Sequence, residues 1–363
     1  MKNTFGNALK VTLFGESHGD IIGAVIDGLT PGIEIDYGFI DSQLERRRSK
    51  ATVCTQRKEK DEYKIVSGIL NGKTTGTPLC IMIPNMDTKS SDYQIFDAVA
   101  RPGHADYTAH CKYHGYQDHR GGGHFSGRVT VALVAAGAIV QSALAKKGIL
   151  VGTHIKKCGS VYDRDFDNYA KDIEYIQSIP FSILDKDAEK QMMDIMIDAK
   201  KQNDSIGGIM ETAIIGMPAG VGEPWFDTVE SMLSHAMFAI PAIKGVEFGA
   251  GFACADMLGS EMNDEFYVED GKILTKTNNN GGINGGITNG MPIIFRCAIK
   301  PASSIPKKQK TVNFKEMTET DVEIAGRHDS AIIPRACVVT ETMSALVIAD
   351  ALLSRYGTDY LFN

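Results

Sequence analysis

The period of apolar positions changes repeatedly along the chain. Leu9 to Phe14 and Ile21 to Ile26 read as short strands, and the loop between them holds Gly15-Glu16-Ser17-His18-Gly19. Asp27-Gly28 and Thr30-Pro31-Gly32 signal turns, and a helix is predicted from about Asp36 to Arg48. Tyr63 to Leu70 and Pro78 to Ile83 read again as strands, joined at Asn71-Gly72. Val129 to Lys147 is a long apolar helix, followed by a strand from Gly148 to Tyr162. Asp185 to Asn203 has helical period, with Met192, Met193, Ile195, Met196 and Ile197 as core filler. Ile209 to Ile215 is a strand, Asp227 to Phe238 a helix stopped before Pro241, and Gly245 to Met257 looks extended. Met291 to Ile299 is a strand, and Pro334 to Arg355 a long closing helix. These elements alternate without a βαβ rhythm, which predicts a mixed α+β class and neither a doubly wound sheet nor a TIM barrel. No linker or short repeat divides the chain, so a single unit over residues 1–363 is expected.

One stretch does not look like packing. It runs from Arg101-Pro102-Gly103-His104-Ala105-Asp106 to Asp118-His119-Arg120-Gly121-Gly122-Gly123-His124-Phe125-Ser126-Gly127-Arg128. Five of the nine histidines fall in it: His104, His110, His114, His119 and His124. Histidines titrate near neutral pH and can donate protons. Consecutive glycines let a backbone approach a ligand. A glycine loop feeding a helix N-terminus is an anion site, and flanking arginines suit a phosphate. A second glycine loop spans Asn278 to Gly286, and Met291 to Ile299 leads straight into Lys300-Pro301-Ala302-Ser303-Ser304. Gly326-Arg327-His328-Asp329 is a third polar knot. The triplet Arg46-Arg47-Arg48 reads first as a favourable cationic helix C-terminus. Successive helical positions point about 100° apart, so the three cannot all face one ligand.

Composition narrows the classes. The net charge of −7 argues against general nucleic-acid binding, so local arginines must draw any anionic ligand. Seven cysteines, with no C-x-x-C pair, suggest free thiols in a reducing compartment. The N-terminal residues lack a signal-peptide core, and the most apolar run, Val129 to Val140, is too short for a bilayer. A cytoplasmic protein is expected. His110 and His114 have i, i+4 spacing but no H-E-x-x-H, which argues against zinc. Gly15-Glu16-Ser17-His18-Gly19 is not a nucleophile elbow, no glycine loop ends as a Walker A, and Gly249-Ala250-Gly251 lacks a third glycine and a βαβ setting. What survives is a pocket for phosphorylated ligands with proton-transfer groups nearby.

The motifs resemble the chorismate synthase family. The matching blocks are Phe14 to Gly19, Asp27-Gly28 with Pro31-Gly32, the arginine triplet, Thr74-Thr75-Gly76-Thr77, Arg101 to Asp106 and Arg120 to Gly123. They continue through Asp204 to Gly207, Gly222-Glu223-Pro224, Lys244 to Glu247, Gly281-Gly282-Ile283, Lys300-Pro301 and Gly326 to Asp329, in the family's order. The resemblance implies a lyase that makes chorismate by 1,4-anti elimination of phosphate from 5-enolpyruvylshikimate 3-phosphate. It implies dependence on reduced FMN, with NADPH as a candidate reductant, and a homotetramer. It implies one β-α-β sandwich domain, with antiparallel sheets packed between helices.

By motif matching, His18 resembles the histidine that protonates the leaving phosphate, His104 the one that protonates reduced flavin, and Asp329 the carboxylate that works on the C6 proton. Arg47, Arg101, Ser126, Arg128 and Arg327 resemble the substrate-binding set. Flavin contacts are implied at His124, Phe125, Ser126, Pro241, Ala242, Gly285, Lys300, Pro301, Ala302, Ser303, Ser304 and Arg327. Two departures stand out. His124-Phe125-Ser126-Gly127-Arg128 replaces the family's Arg-Ser-Ser-Ala-Arg, and Ser49 to Val53 carries a single lysine where the family has Pro-Gly and a further arginine. A flavin-dependent reductase that kept only the FMN pocket, and a nucleic-acid module using the Arg/His stretch, are the competing readings.

Overall fold

A computed structural model describes residues 2–48, 61–86, 95–324 and 329–362. The first sheet contains β1 (Thr4–Phe5), β2 (Lys10–Phe14), β3 (Ile21–Asp27) and β4 (Lys64–Ser67). After the ribbon of β5 (Ile69–Leu70) and β6 (Lys73–Thr74) the chain adds β7 (Leu79–Pro84), giving the order β1-β2-β3-β7-β4. The second sheet is built from β8 (Leu150–Cys158), β9 (Val161–Tyr162), β10 (Gly208–Ile215) and β11 (Ile243–Phe248). Hairpins β12 (Phe266–Glu269) with β13 (Lys272–Thr275), and β14 (Ile283–Asn284) with β15 (Ile287–Thr288), precede its last strand, β16 (Ile293–Ile299). Its order is β11-β16-β10-β8-β9, and every pairing in both sheets is antiparallel. A last hairpin joins β17 (Gln309–Asn313) to β18 (Thr318–Val322).

The helices are α1 (Tyr37–Arg48), α2 (Asp106–Tyr113), α3 (Thr130–Lys146), α4 (Tyr169–Ser178), α5 (Lys186–Lys201), α6 (Val229–Ala239), α7 (Gly259–Met262) and α8 (Ile333–Tyr356). Along α3 every residue from Val131 to Leu144 is buried, and α8 is buried over nearly its whole length. A helix apolar on all sides belongs in an interior. These two cross so closely that a Cβ on Gly137 would lie 2.6 Å from Thr342. Ile22, Ala24 and Ile26 of β3 with Leu79, Ile81 and Ile83 of β7 face the helices from one side. Met210, Ile214, Ile293, Phe295 and Cys297 face them from the other.

The α+β class, the antiparallel sheets and the β-α-β sandwich follow the sequence reading: the layering is sheet–helix–sheet, with helices as the filling. The second sheet also carries a helix on its outer face, where Ile173 of α4 packs on Gly152. Residues 127–146 and α8 are long and apolar enough to cross a membrane, unlike the shorter run weighed from sequence. However, 78% and 100% of their apolar windows are buried inside the protein. The predicted strand from Gly148 to Tyr162 is a hairpin, and the extended segment from Gly245 ends at Phe248, where a 3-10 turn takes over.

Two charged clusters brace this sandwich. Glu341 of α8, fully buried, accepts hydrogen bonds from Arg46 Nη1 and Nη2 at 3.0 and 3.2 Å, Gln141 at 2.8 Å, Gln177 at 3.1 Å and the Thr153 amide at 3.3 Å. On the outer face of the second sheet, buried His154 lies between Asp163 at 2.7 Å and Glu211 at 3.3 Å. Burial alone would lower the His154 pKa, but the two carboxylates outweigh it and hold it above the ordinary 6.5. Burial would raise Glu211, but His154, Lys156 and Arg296 bring it below its ordinary 4.5.

Glu341→Ala strands the Arg46 charge in the interior and is expected to cost roughly 3–5 kcal/mol, read as a fall in urea midpoint at unchanged slope. A raised histidine contributes its stability below its unfolded value and loses it as pH rises through the folded one; the lowered Glu211 does the reverse. The melting-temperature gap between wild type and His154→Gln is therefore expected to be widest between pH 4.5 and 6.5 and to shrink as pH climbs further. A gap independent of pH would contradict that assignment.

Candidate functional site

The three consecutive glycines are where two of the chosen histidines meet. Gly121, Gly122 and Gly123 all have positive φ (59°, 84° and 53°), a conformation L side chains rarely adopt. A Cβ on Gly121 would sit 2.1 Å from the His18 ring, and one on Gly122 would lie 3.3 Å from His104 Cε1 and 3.4 Å from its Nε2. The loop that holds His18 is pinned from several sides. The Ser17 amide donates to Gly123 O at 3.0 Å, and His124 Nδ1–H donates to Gly15 O at 2.8 Å. Asn85 Nδ2 donates to the carbonyls of Glu16 and Gly19 at 3.0 and 2.8 Å. The glycines do not feed α3 directly, contrary to the sequence reading. A further 3-10 turn, Gly127–Val129, intervenes, and Ser126 caps it by accepting from the Arg128 amide.

His104 is oriented by a carboxylate. Asp106 Oδ1 lies 3.1 Å from His104 Nδ1 and 2.7 Å from Arg101 Nη2, while Oδ2 accepts from Arg101 Nε at 2.8 Å and from its amide at 2.9 Å. His104 Nδ1 is thus held at 3.1 Å from both Asp106 Oδ1 and Arg101 Nη2, which leaves Nε2 facing Gly122. Burial would raise the Asp106 pKa, but Arg101 and His104 outweigh it and keep it far below the usual carboxylate range. Arg101 stacks on Phe96 at 4.5 Å and reaches Ser304 Oγ at 3.4 Å.

The 300–304 segment docks on this loop. Lys300 Nζ donates to Gly103 O at 3.0 Å and to Ser303 Oγ at 2.5 Å, and Ser303 Oγ donates to the same carbonyl at 2.8 Å. Burial pushes the Lys300 pKa down, and repulsion from Lys244 adds to it. An ammonium group beside a serine hydroxyl, with a second lysine close enough to repel it, suits an anionic ligand such as a phosphate ester. The Lys300 amide donates to the carbonyl of Ala242, which has a positive φ of 75° after Pro241. Gly285 lies in the turn of the β14–β15 hairpin, with open space where a Cβ would be.

The arginine triplet splits three ways. Arg46 enters the core to Glu341, and Arg48 pairs with Glu45 at 2.8 Å. Arg47 donates to Thr130 Oγ1 at 3.1 Å and Gly127 O at 2.9 Å, which carries it toward Arg128. Arg128 Nε donates to Asn85 Oδ1 at 3.2 Å, and both arginines face the carboxylate of Asp61. Asp329 stands just before α8, 3.3 Å from Arg335 Nε. Its neighbour Ser330 is tied toward the 300–304 segment: the Ile206 amide donates to Ser330 O at 2.8 Å, and Ser205 Oγ donates to Ala302 O at 2.7 Å. Arg327, and Ser49 to Val53, lie outside the described residues.

The other histidines of the stretch go elsewhere. His110 stacks near Phe314 at 4.7 Å, His114 forms the left-handed C-cap of α2, and His119 faces Asp97 at 3.6 Å. Phe125 packs edge-on against Tyr113. Sequence reasoning missed Asn85 and Asp61, neither of which belongs to a recognisable pattern. It quoted Asp106 without a role, although a carboxylate two residues after a histidine and five after an arginine was a usable signal.

The family model for chorismate synthase matches residues 9–353 of the chain. A curated relative from Thermococcus gammatolerans, named chorismate synthase, is 46% identical over 350 residues, covering 96% of this chain and 97% of the relative. One of the same name from Archaeoglobus fulgidus is 46% identical over 351 residues, covering 97% of each. A solved crystal structure of chorismate synthase superposes with a TM-score of 0.76 at 29% identity, over 97% of this chain and 94% of that one.

Gly121→Ala forces the His18 ring to move, because the added methyl falls 2.1 Å from it. Turnover is expected to fall on the order of 100-fold with the circular dichroism spectrum unchanged. Gly127→Ala, with nothing within 4 Å of its Cβ, is expected to stay near wild type. Equal rates in the two variants would remove the close approach as a constraint on catalysis.

Proposed function

The chain belongs to the chorismate synthase family of shikimate-pathway lyases, and from that premise we propose how its residues carry the 1,4-anti elimination of phosphate from 5-enolpyruvylshikimate 3-phosphate. The observation that carries the reading is the approach of His18 and His104 to adjacent glycines of one loop. Arg47, Arg101, Arg128 and Arg327 surround the substrate's carboxylates and phosphate, with Ser126 beside them, and stabilise charge building on the leaving group. His18 donates the proton that the departing phosphate takes up. His104, its ring oriented by Asp106 and Arg101, carries a proton on Nε2 toward the cofactor. Asp329 receives the proton that leaves C6.

FMN would be held at its phosphate end by Lys300, Ser303 and Ser304, with Pro301 and Ala302 between them. Pro241, Ala242, Gly285, His124, Phe125, Ser126 and Arg327 would lie about its ring and ribityl chain. The chemistry a bound reduced flavin supplies is transient electron density to the breaking C–O bond, returned as the C6 hydrogen departs, so no net reductant is consumed. NADPH is the reductant proposed to keep that flavin reduced.

Residues 1–363 are read as one catalytic domain. The chain is proposed to work in the cytoplasm, supported by free thiols at all six described cysteines, and as a homotetramer. Exposed Phe226, Phe252, Phe266 and Val268 support association between copies.

The test is anaerobic. With 5-enolpyruvylshikimate 3-phosphate and reduced FMN, chorismate and free phosphate are expected in equal amounts without loss of reductant; oxidised FMN is expected to give none. His18→Ala and His104→Ala are each expected to slow turnover by roughly 10²–10⁴-fold while leaving the fold intact. Normal rates in both variants would refute their roles, and stoichiometric consumption of reductant would favour the reductase.

A further inference from the structure

Asp61 is the counter-charge of the two arginines assigned to the substrate. Its Oδ2 lies 3.5 Å from Arg47 Nη1, and its Oδ1 pairs with Arg128 Nη1. The three side chains are 8%, 8% and 5% exposed for Arg47, Arg128 and Asp61, so the group is nearly dry. Asp61 Oδ2 is buried and accepts no hydrogen bond. A carboxylate that serves only as structure would have both oxygens satisfied, because an unmet buried acceptor is costly. The guanidinium groups are each anchored independently, Arg47 through Thr130 and Gly127 and Arg128 through Asn85, so neither needs Asp61 to keep its place. Two anchored cations in nearly dry surroundings repel, and one carboxylate between them offsets that repulsion only in part.

We propose that Asp61 is a built-in substitute for the substrate's oxyanion: it pairs with Arg47 and Arg128 in the free protein and competes with the phosphorylated substrate for the same two guanidinium groups. This rests on reading those arginines as substrate ligands, and it gives Asp61 a positioning role with no part in bond breaking. Binding exchanges one singly charged carboxylate for a more highly charged oxyanion with better hydrogen-bonding capacity. While it sits between them, Asp61 partly neutralises the two anchored cations until substrate arrives. It also sets substrate affinity below what the bare pair would give, which favours release.

The experiment titrates 5-enolpyruvylshikimate 3-phosphate into protein holding oxidised FMN, where no turnover occurs, and reads affinity by calorimetry. Asp61→Asn is expected to bind on the order of tenfold tighter than wild type, because the competitor is gone while the cations stay. Without substrate the variant is expected to melt lower, and substrate is expected to close that gap. Asp61→Ser, smaller and also neutral, gives the same reading should the asparagine variant fail to fold. Unchanged or weaker binding in the neutral variants overturns the proposal. Arg128→Ala separates the two levels. If it binds as well as wild type, the assignment of the arginines falls. If it loses binding while Asp61→Asn gains none, only the role of Asp61 falls.

Discussion

A site for a multiply charged substrate must hold cations close together before any anion arrives. Repulsion between them is the constraint on which the rest of this structure depends. Buried carboxylates answer the arginines and the histidine that approach the site and the core. Arg101 and His104 share Asp106, Arg46 is neutralised by Glu341, and Arg47 and Arg128 share Asp61. Lys300 and Lys244 are the exception, and the cost appears as the depressed Lys300 pKa. The contrast separates cations braced by protein from cations that wait for a ligand.

Glycine meets the second demand, which is nearness. Two imidazoles can approach the same short loop only where no Cβ stands in the way, and the loop accordingly adopts positive φ at three successive positions. Its carbonyls and amides are not idle, since Gly123 O accepts from the Ser17 amide and so ties the His18 loop to the same backbone. The apolar sandwich supplies rigidity from behind. Helix α3 starts a few residues after the glycines, so the loop is carried by a helix that cannot shift without disturbing the core.

The long apolar helices were legible in the sequence because an unbroken run of core residues has one reading at that length, and α3 and α8 appear within a few residues of their predicted bounds. The hairpins β12–β13 and β17–β18 were not, because their exposed strands carry mixed polar and apolar residues with no clean alternation. The site was legible where a motif concentrated it: His18, His104 and the glycines were all named, and the structure brings them together. The arginine triplet shows the limit. Helical geometry said that the three must diverge, yet which of them would turn inward to Glu341 depended on a residue 295 positions away in sequence. Asp61 was invisible for the same reason, because nothing local marks a carboxylate that acts by reaching another loop.

Placing the final helix at the centre of the core has a consequence for synthesis. The amides of Asn7, Ala8 and Leu9 are held by Asp350, more than 340 positions later, and Arg46 pairs with Glu341, 295 positions later. A ribosome adding about 5–20 residues per second needs tens of seconds to reach that point. Through that interval the first sheet waits with its apolar face incompletely covered, and the nascent chain depends on holding factors or on its own acidic charge to stay out of aggregates.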